Sequence, residues 1–322
     1  MKRISEYRDI FEGGLSRLDY NRPGLERLYE PVVYGITAGG KRLRPVLTLM
    51  GCDAFCGNAE AALRAALGVE MFHNFTLVHD DVMDHSDMRR GRPAVHKKWD
   101  VNTAILSGDT MLTLATQLVM DVPDDKLRSV LDTFNRMAVE VYEGQRYDTD
   151  FETRDDVTAD EYIHMITLKT GALLGGAARI GCIIGGATEA QGSRVDEFGR
   201  CLGVAFQIQD DYLDVFGDSE TFGKPIGGDI LNGKKTYLLL EALHRGGSDS
   251  DALRSAMQME NGQVKIQTVT RIYERMGIDE MCRKAVASWM GRALKSLKKA
   301  GLTEEGYECF RMFAEKLIGR TK

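Results

Sequence analysis

Apolar residues recur at intervals of three or four along almost the whole chain, and this spacing limits the folds open to it. The pattern is clear in the series Leu63, Ala66, Val69 and Phe72. Residues at that spacing share one face of an α-helix, whereas a half-buried strand needs an alternation that the sequence does not sustain. The periodicity therefore predicts an all-α protein.

Several residues mark where helices are expected to begin. Thr158 and Glu161 are spaced as a capping box, which predicts a helix that begins near Ala159. Prolines are expected at helix starts or in connections, because a proline there removes no helical hydrogen bond. The six prolines are Pro23, Pro31, Pro45, Pro93, Pro123 and Pro225.

The composition indicates a globular protein whose partners are small molecules. Of the 322 residues, 43% are apolar, which is enough for a large buried core. The net charge of −6 argues against a nucleic-acid-binding protein. The first residues lack the apolar core of a signal peptide, so a cytoplasmic location is expected. The glycine-rich stretch 171–187 contains Arg179 and is too short to span a membrane, so its small residues are expected to allow close helix contacts.

The main functional signal is a pair of aspartate clusters with the same DDxxD spacing. Helical positions i and i+4 share a face and i+1 lies about 100° away, so each cluster is expected to direct two or three carboxylates towards one point. Divalent cations relieve the repulsion between such carboxylates, and oxygen ligands without His or Cys favour magnesium, which often bridges carboxylates to phosphate. The predicted metal ligands are Asp80, Asp81, Asp84, Asp210, Asp211 and Asp214.

The predicted ligand of this metal site is therefore a diphosphate. If both clusters bind the same diphosphate they must share one site, so a single domain over residues 1–322 is expected rather than two independent ones.

Seven blocks of sequence surround or separate the two clusters, and together they resemble the trans-isoprenyl diphosphate synthases, or polyprenyl synthetases. The blocks are Gly39 to Pro45, His73 to Asp84 with Arg89 to Pro93, Ser107 to Asp109, Glu143 to Gln145, Lys169 to Gly171, Phe206 to Asp214, and Gly223-Lys224 with Lys234 to Thr236. The resemblance implies the isoprenoid-synthase fold, a bundle of about ten core helices around a deep central cavity, and a homodimer.

The resemblance also implies two diphosphate sites. The allylic diphosphate would be held through three magnesium ions by both aspartate clusters and by Arg89, Lys169, Lys224 and Lys234. The second diphosphate, that of isopentenyl diphosphate, would bind without metal to Gly40, Lys41, Arg44, His73 and Arg90. Lys41 and Arg44 are three residues apart and are expected to share a helical face.

The reaction implied by the family is ionisation, condensation and elimination. The carbonyl of Lys169 and the side chains of Thr170 and Gln207 would stabilise the allylic carbocation, and isopentenyl diphosphate would then attack it. Proton loss would give a product five carbons longer. No nucleophile is required, and no G-x-S-x-G or nucleotide-binding glycine loop is present in the sequence.

Product length is expected to depend on Phe75 and Thr76, which precede Asp80 by about one helical turn and are expected to face the same side as it. An aromatic residue before a small one resembles archaeal geranylgeranyl synthases and leaves a C15 or C20 product open. Two alternatives are a terpene cyclase and a non-catalytic subunit of a heteromeric synthase. A cyclase would lack the second cluster and the Gly40 to Arg44 block, and a non-catalytic subunit normally loses one cluster.

Overall fold

The computed structural model describes residues 1–217 and 226–319, and these residues are almost entirely helical. The α-helices, numbered in chain order within these ranges, are α1 Ile4–Leu15, α2 Glu26–Ile36, α3 Leu43–Cys56, α4 Leu63–Met83, α5 Val95–Lys98, α6 Val101–Met120, α7 Asp124–Thr153, α8 Ala159–Ile166, α9 Ala172–Ile184, α10 Glu189–Phe216, α11 Gly228–Leu231, α12 Tyr237–His244, α13 Gly247–Met257, α14 Gly262–Arg275, α15 Ile278–Leu297 and α16 Glu304–Ile318. A 3₁₀ turn spans Ala59–Ala62 and a π-helical turn spans Thr167–Gly171.

The all-α prediction is confirmed. Within the described residues, extended structure is limited to an antiparallel pair of two-residue strands, β1 Met88–Arg89 and β2 Arg92–Pro93. The predicted capping box is also present, since Thr158 and Glu161 exchange side-chain and backbone hydrogen bonds at the start of α8.

One expectation about the prolines is wrong. Pro31 lies inside α2 and is buried, five residues after the helix begins. A proline there removes a helical hydrogen bond, which normally weakens a helix. The helix nevertheless accommodates Pro31 as a buried residue. Pro225 lies outside the described residues.

The chain divides into two compact units. The first consists of Met1–Arg136, Gly176–Asp196 and Ala300–Cys309, and the second of Met137–Gly175, Glu197–Lys299 and Phe310–Lys322. The expectation of a single domain over residues 1–322 stays a prediction.

In the first unit, glycines allow helix backbones to touch. A Cβ atom added to Gly181 would lie 1.9 Å from the carbonyl oxygen of Thr48, and one added to Gly51 would lie 2.4 Å from that of Ala178. Any side chain at these positions would force α3 and α9 apart. The expected role of the small residues between 171 and 187 is thus confirmed, and none of the helices in the described ranges is long and apolar enough to cross a membrane.

The second unit has its own apolar core. Tyr162, Leu238, Leu253, Val269 and Tyr273 belong to it, and each is at most 2% exposed. A close backbone contact also occurs here, since a Cβ atom on Gly203 would lie 2.6 Å from the Cα atom of Gly171. This contact fixes the π-helical turn Thr167–Gly171 against α10.

The buried guanidinium of Arg42 joins four helices of the first unit. Arg42 precedes α3 with a φ of 52°, in the left-handed region. It donates to Glu12 of α1 at 2.9 Å, to Glu70 of α4 at 2.9 Å and to the Ile36 carbonyl of α2 at 3.0 Å. The side chains of Arg42 and Glu70 are each 2% exposed, so this is a fully desolvated ion pair.

The ion pair leads to a prediction about stability. Replacing Arg42 with Met should lower the free energy of unfolding by about 3–5 kcal/mol, because the carboxylate of Glu70 would stay buried without its partner. The double change Arg42→Met with Glu70→Met removes both charges and should recover much of that loss. Urea denaturation of the three proteins measures these values.

A matched control for this experiment is the exposed pair Arg128 and Asp132, whose side chains are 90% and 68% exposed. Arg128→Met should change stability far less, because solvent screens this pair. Additive losses in the double variant of Arg42 and Glu70 would show that the pair does not act as a unit.

Candidate active site

The first aspartate cluster lies at the end of α4, and its members differ in their surroundings. The side chain of Asp81 is 4% exposed and that of Asp80 is 18% exposed, while Asp84 is exposed at the end of the helix. Arg89 donates from its Nε to Asp81 Oδ1 at 2.9 Å and also from its Nη2, and it lies 3.8 Å from Asp80. Asp81 is therefore neutralised by an arginine, because it lies about 100° around the helix from Asp80.

The arginines of this region are presented by a tight hairpin between β1 and β2. The connecting residues Arg90 and Gly91 both have positive φ, 53° and 73°. This is the backbone of a two-residue hairpin turn, which glycine adopts readily and arginine does not. The turn directs the guanidinium of Arg90 to the carbonyl of Gly39, to which its Nη1 donates.

A second group of basic residues surrounds Gly40. This glycine has a φ of 128°, and a Cβ atom on it would lie 2.9 Å from the guanidinium carbon of Arg90. Only glycine leaves room for that approach. The Nη1 of Arg44 lies 3.1 Å from the Nε2 of His73, and since an arginine can only donate, His73 accepts and is neutral.

The group formed by Arg44, His73 and Arg90 carries more positive charge than the carboxylates near it can balance. Burial lowers the pKa of Arg44 to about 10, with Arg90 adding to the effect and Glu70 opposing it. Burial, followed by the charges of Arg44, Arg90, Arg89 and Arg42, holds the pKa of His73 well below its usual value. The buried Nε of Arg44 has no hydrogen-bond partner among the described residues. Such an arrangement is stabilised by an anion.

The expectation that Lys41 and Arg44 share a helical face is wrong. The helix α3 begins at Leu43, and the preceding residues Gly39, Gly40 and Arg42 all have positive φ. Lys41 therefore lies in an irregular turn, where its side chain is exposed. Helical spacing could not predict this turn, because it depends on the buried side chain of Arg42.

The second aspartate cluster lies near the end of α10 in the second unit. Asp211 is 2% exposed and accepts hydrogen bonds from the Tyr162 hydroxyl, from the Tyr237 backbone N–H at 3.3 Å and from Gln207 at 3.3 Å. Burial raises its pKa to about 7, while the nearby charge of Lys234 acts in the opposite direction. Its oxygens are thus occupied by protein donors.

The other two members of the cluster differ from each other. Asp214 is 8% exposed and accepts from the backbone N–H of Asp229 at 3.0 Å. Asp210 is half-buried. Within the described ranges, no three or more His, Cys, Asp or Glu side chains are grouped closely enough to hold a metal ion. The expectation that each cluster directs two or three carboxylates towards one point stays a prediction.

The predicted cation-stabilising residues are brought together at the π-helical turn Thr167–Gly171. The hydroxyl of Thr170 donates to Gln207 at 3.4 Å, and Gln207 donates to Asp211. Lys169 pairs with Asp148 at 2.6 Å. A Cβ atom on Gly144 would lie 2.3 Å from the backbone nitrogen of Lys169, which explains the glycine in the Glu143 to Gln145 block. Such π-helical turns occur frequently at functional sites.

Two of the predicted diphosphate ligands follow the second cluster in sequence. Lys234 is exposed, and its charge acts on Asp211. Lys224 lies outside the described residues.

The two residues expected to control product length lie on different faces of α4. Phe75 is 6% exposed, and its ring is 5.6 Å from that of Phe72 and 4.8 Å from that of His79. Helical geometry places Phe75 about 140° from Asp80 and Thr76 about 40° from it. The expectation that both residues face the same side as the aspartates is wrong for Phe75.

Three positioning residues carried no signal in the sequence. Tyr162 holds Asp211, Asp148 holds Lys169, and Glu70 holds Arg42. Each acts over a long sequence separation. A helical pattern indicates which residues are buried, but it does not indicate which buried polar groups meet.

The chain belongs to the polyprenyl synthetase family, whose profile matches residues 25–276. It is 39% identical over 255 residues to a geranylgeranyl diphosphate synthase of Methanosarcina mazei, with 79% of this chain and 78% of that protein covered. It is 38% identical over 262 residues to a geranylfarnesyl diphosphate synthase of Natronomonas pharaonis, with 76% of each covered.

A crystal structure of a geranylgeranyl pyrophosphate synthase matches all of this chain and all of its own, with a TM-score of 0.95 and 42% identity. The family resemblance and the isoprenoid-synthase fold predicted from the sequence are therefore confirmed.

The environment of His73 generates a prediction about pH. Below about pH 6.5 the unfolded chain takes up a proton at this residue, whereas the folded protein excludes it, so acidification removes stability. His73→Gln keeps an acceptor for Arg44 but does not titrate. Between about pH 7.5 and pH 5.5 the melting temperature of wild type should fall further than that of this variant.

Melts of His244→Gln provide the control, because His244 is exposed. This control should follow the wild-type profile. Parallel pH profiles for wild type and His73→Gln would contradict the neutral state of His73 beside Arg44.

Proposed function

We propose that this protein is a short-chain trans-prenyltransferase that condenses isopentenyl diphosphate with an allylic diphosphate to give farnesyl or geranylgeranyl diphosphate, C15 to C20. The observation that carries the proposal is the grouping of Arg90 against Gly40 and of Arg44 against His73, in which the buried Nε of Arg44 has no hydrogen-bond partner among the described residues. The similarity of the chain to geranylgeranyl diphosphate synthases supports the same conclusion.

The residues present fit magnesium, and the surroundings of the aspartates suggest which of them bind it. Asp81, Asp211 and Asp214 are buried and accept hydrogen bonds from protein donors. We assign direct metal binding to Asp80, Asp84 and Asp210 and positioning to the other three aspartates. Hard carboxylate oxygens that leave space for water and phosphate suit this ion. When bound, magnesium supplies positive charge that stabilises the departing diphosphate.

The protein's own side chains perform the other steps of the proposed reaction. Arg89, Lys169, Lys224 and Lys234 bind the allylic diphosphate and favour loss of this leaving group by charge. The group Gly40, Lys41, Arg44, His73 and Arg90 binds the diphosphate of isopentenyl diphosphate. Both diphosphates are thereby oriented by fixed cations.

The allylic cation lies next to neutral dipoles in this proposal. The Lys169 carbonyl, the Thr170 hydroxyl and the Gln207 amide stabilise it without forming a bond to it. The contact between Thr170 and Gln207 supports this assignment, because two dipoles in one hydrogen-bonded group are restrained together.

The competing functions are less well supported. A terpene cyclase would have no use for the basic group around Gly40, and a non-catalytic subunit would not need both aspartate clusters. We retain a homodimer and a cytoplasmic location as parts of the proposal, on the basis of the family resemblance and the sequence.

The function is tested by incubating the protein with labelled isopentenyl diphosphate, an allylic diphosphate and magnesium, and measuring diphosphate release. Asp80→Asn and Asp210→Asn should each lower kcat by a factor on the order of a hundred or more, because each removes a metal-binding charge. Asp211→Asn keeps the shape of the side chain and should lower kcat less.

Circular dichroism of the metal-free variants is the control for folding, and the spectra should match wild type. If Asp211→Asn proved as damaging as Asp210→Asn with an intact fold, the division between metal-binding and positioning aspartates would be wrong. Absence of diphosphate release by wild type would refute the function itself.

Product length supplies a further prediction. Thr76→Phe should shorten the product by about one C5 unit, because Thr76 lies within about 40° of Asp80 and a phenyl ring there meets the growing chain. Phe75→Ala should lengthen it by removing a buried ring, at a cost of about 3–5 kcal/mol in stability. Chromatography of the dephosphorylated products measures both effects.

Phe75→Leu serves as the control because it keeps most of the buried volume and should leave the product distribution close to that of wild type. Unchanged products in both Thr76→Phe and Phe75→Ala would place the limit on chain length elsewhere.

A further inference from the structure

The basic residues of the chain are unevenly distributed, and the segment 281–303 is the extreme case. It contains six basic residues and no acidic one, in a chain whose net charge is −6. Most of the segment forms α15 and the turn that follows it. The basic residues are Arg283, Lys284, Arg292, Lys295, Lys298 and Lys299.

Five of these residues form one exposed stripe, here called the basic face. At about 100° per residue they fall within about 120° of the helix circumference, and along the axis they span about 22 Å. All five side chains are exposed. The basic face consists of Lys284, Arg292, Lys295, Lys298 and Lys299.

Neighbouring groups leave much of this charge unbalanced. Lys284 pairs with Glu280 at 2.8 Å, but both side chains are largely exposed. In the described parts of the chain, Arg292, Lys295 and Lys299 form no ion pair. The helix dipole favours basic residues in the last turn, which accounts for Lys295 and its successors but not for Arg292, which lies five residues before the helix ends at Leu297.

Arg292 is held in place at the centre of the basic face. Its guanidinium carbon lies 3.8 Å from the ring centroid of Trp289, a stacked cation–π contact. Trp289 packs in turn against the apolar core of the second unit. The charge is therefore fixed at the surface on a rigid support, and little side-chain freedom is lost when it binds a partner.

We propose that the basic face docks the protein on an anionic lipid surface. A row of exposed cations on one side of a helix, with Arg292 held by Trp289, complements a planar surface of phosphate headgroups, and clusters of four to eight Lys or Arg residues are typical of such binding. The product chemistry, which rests on the proposed function, favours lipid over nucleic acid, because a C15 to C20 chain with a diphosphate head partitions into membranes. The docked protein then releases its product next to the bilayer.

The test is sedimentation of the full chain with vesicles of phosphatidylcholine alone or mixed with phosphatidylglycerol. Wild type should bind only the mixed vesicles, and high salt should release it. The double variant Lys295→Glu with Lys299→Glu reverses two charges of the basic face and should bind the mixed vesicles at least about tenfold more weakly.

The matched control is Arg17→Glu with Arg271→Glu, which makes the same change in net charge at two exposed arginines outside the basic face. It should bind like wild type. The proposal is overturned if wild type does not bind mixed vesicles, if it binds both kinds equally, or if the two double variants behave alike. Tighter binding of wild type to duplex DNA than to mixed vesicles would likewise overturn it.

Activity distinguishes this proposal from the proposed function. With water-soluble substrates and no vesicles, Lys295→Glu with Lys299→Glu should keep the wild-type rate, because neither residue belongs to the active site. Vesicle binding without prenyltransferase activity would leave docking in place and remove the function. Prenyltransferase activity without vesicle binding would support the proposed function and overturn the docking proposal.

Discussion

Burial of one guanidinium group is the constraint on which much of the first unit depends. Arg42 lies between α1, α2 and α4, and its desolvation is tolerated only because three acceptors meet it. Holding that side chain inward requires a left-handed backbone at the start of α3. The same turn determines the position of the Lys41 side chain and the direction in which the Arg44 side chain extends from α3. A residue without contact to substrate thus determines the geometry of those that are proposed to bind it.

The two proposed diphosphate sites carry charges of opposite sign when no ligand is bound. Around Gly40 the arginines have lowered pKa values because burial and mutual repulsion disfavour their charged forms. In the aspartate clusters, burial raises the pKa values of Asp81 and Asp211 for the corresponding reason. In the proposed function, an anion completes the first site and cations complete the second. Each proposed site is therefore organised before its ligand binds, and the like charges held there lower the stability of the ligand-free protein.

The sequence predicted the elements that depend on local spacing. Helical periodicity, the capping box at Thr158 and the doubled aspartate motif each act within a few residues, and together they indicated the fold and the family correctly. The sequence did not predict which way side chains face around a helix, or which residues distant in sequence pair with each other. Asp81 pairs with Arg89 and Asp211 with the Tyr162 hydroxyl, because tertiary packing selects among faces that the pattern leaves equivalent. The left-handed turn before α3 was hidden for the same reason. The orientation of Phe75 follows instead from the helical step of 100°, which places it about 140° from Asp80.

The hairpin that carries Arg89 and Arg90 has only two residues in each strand. Adjacent residues in so short an element cannot move independently, yet one pairs with Asp81 and the other with the Gly39 carbonyl. A shift of the hairpin towards one ligand changes the position of both guanidinium groups. If Arg89 and Arg90 bind the two diphosphates as proposed, occupancy of either site is linked to the affinity of the other, and by reciprocity the coupling has the same size in both directions.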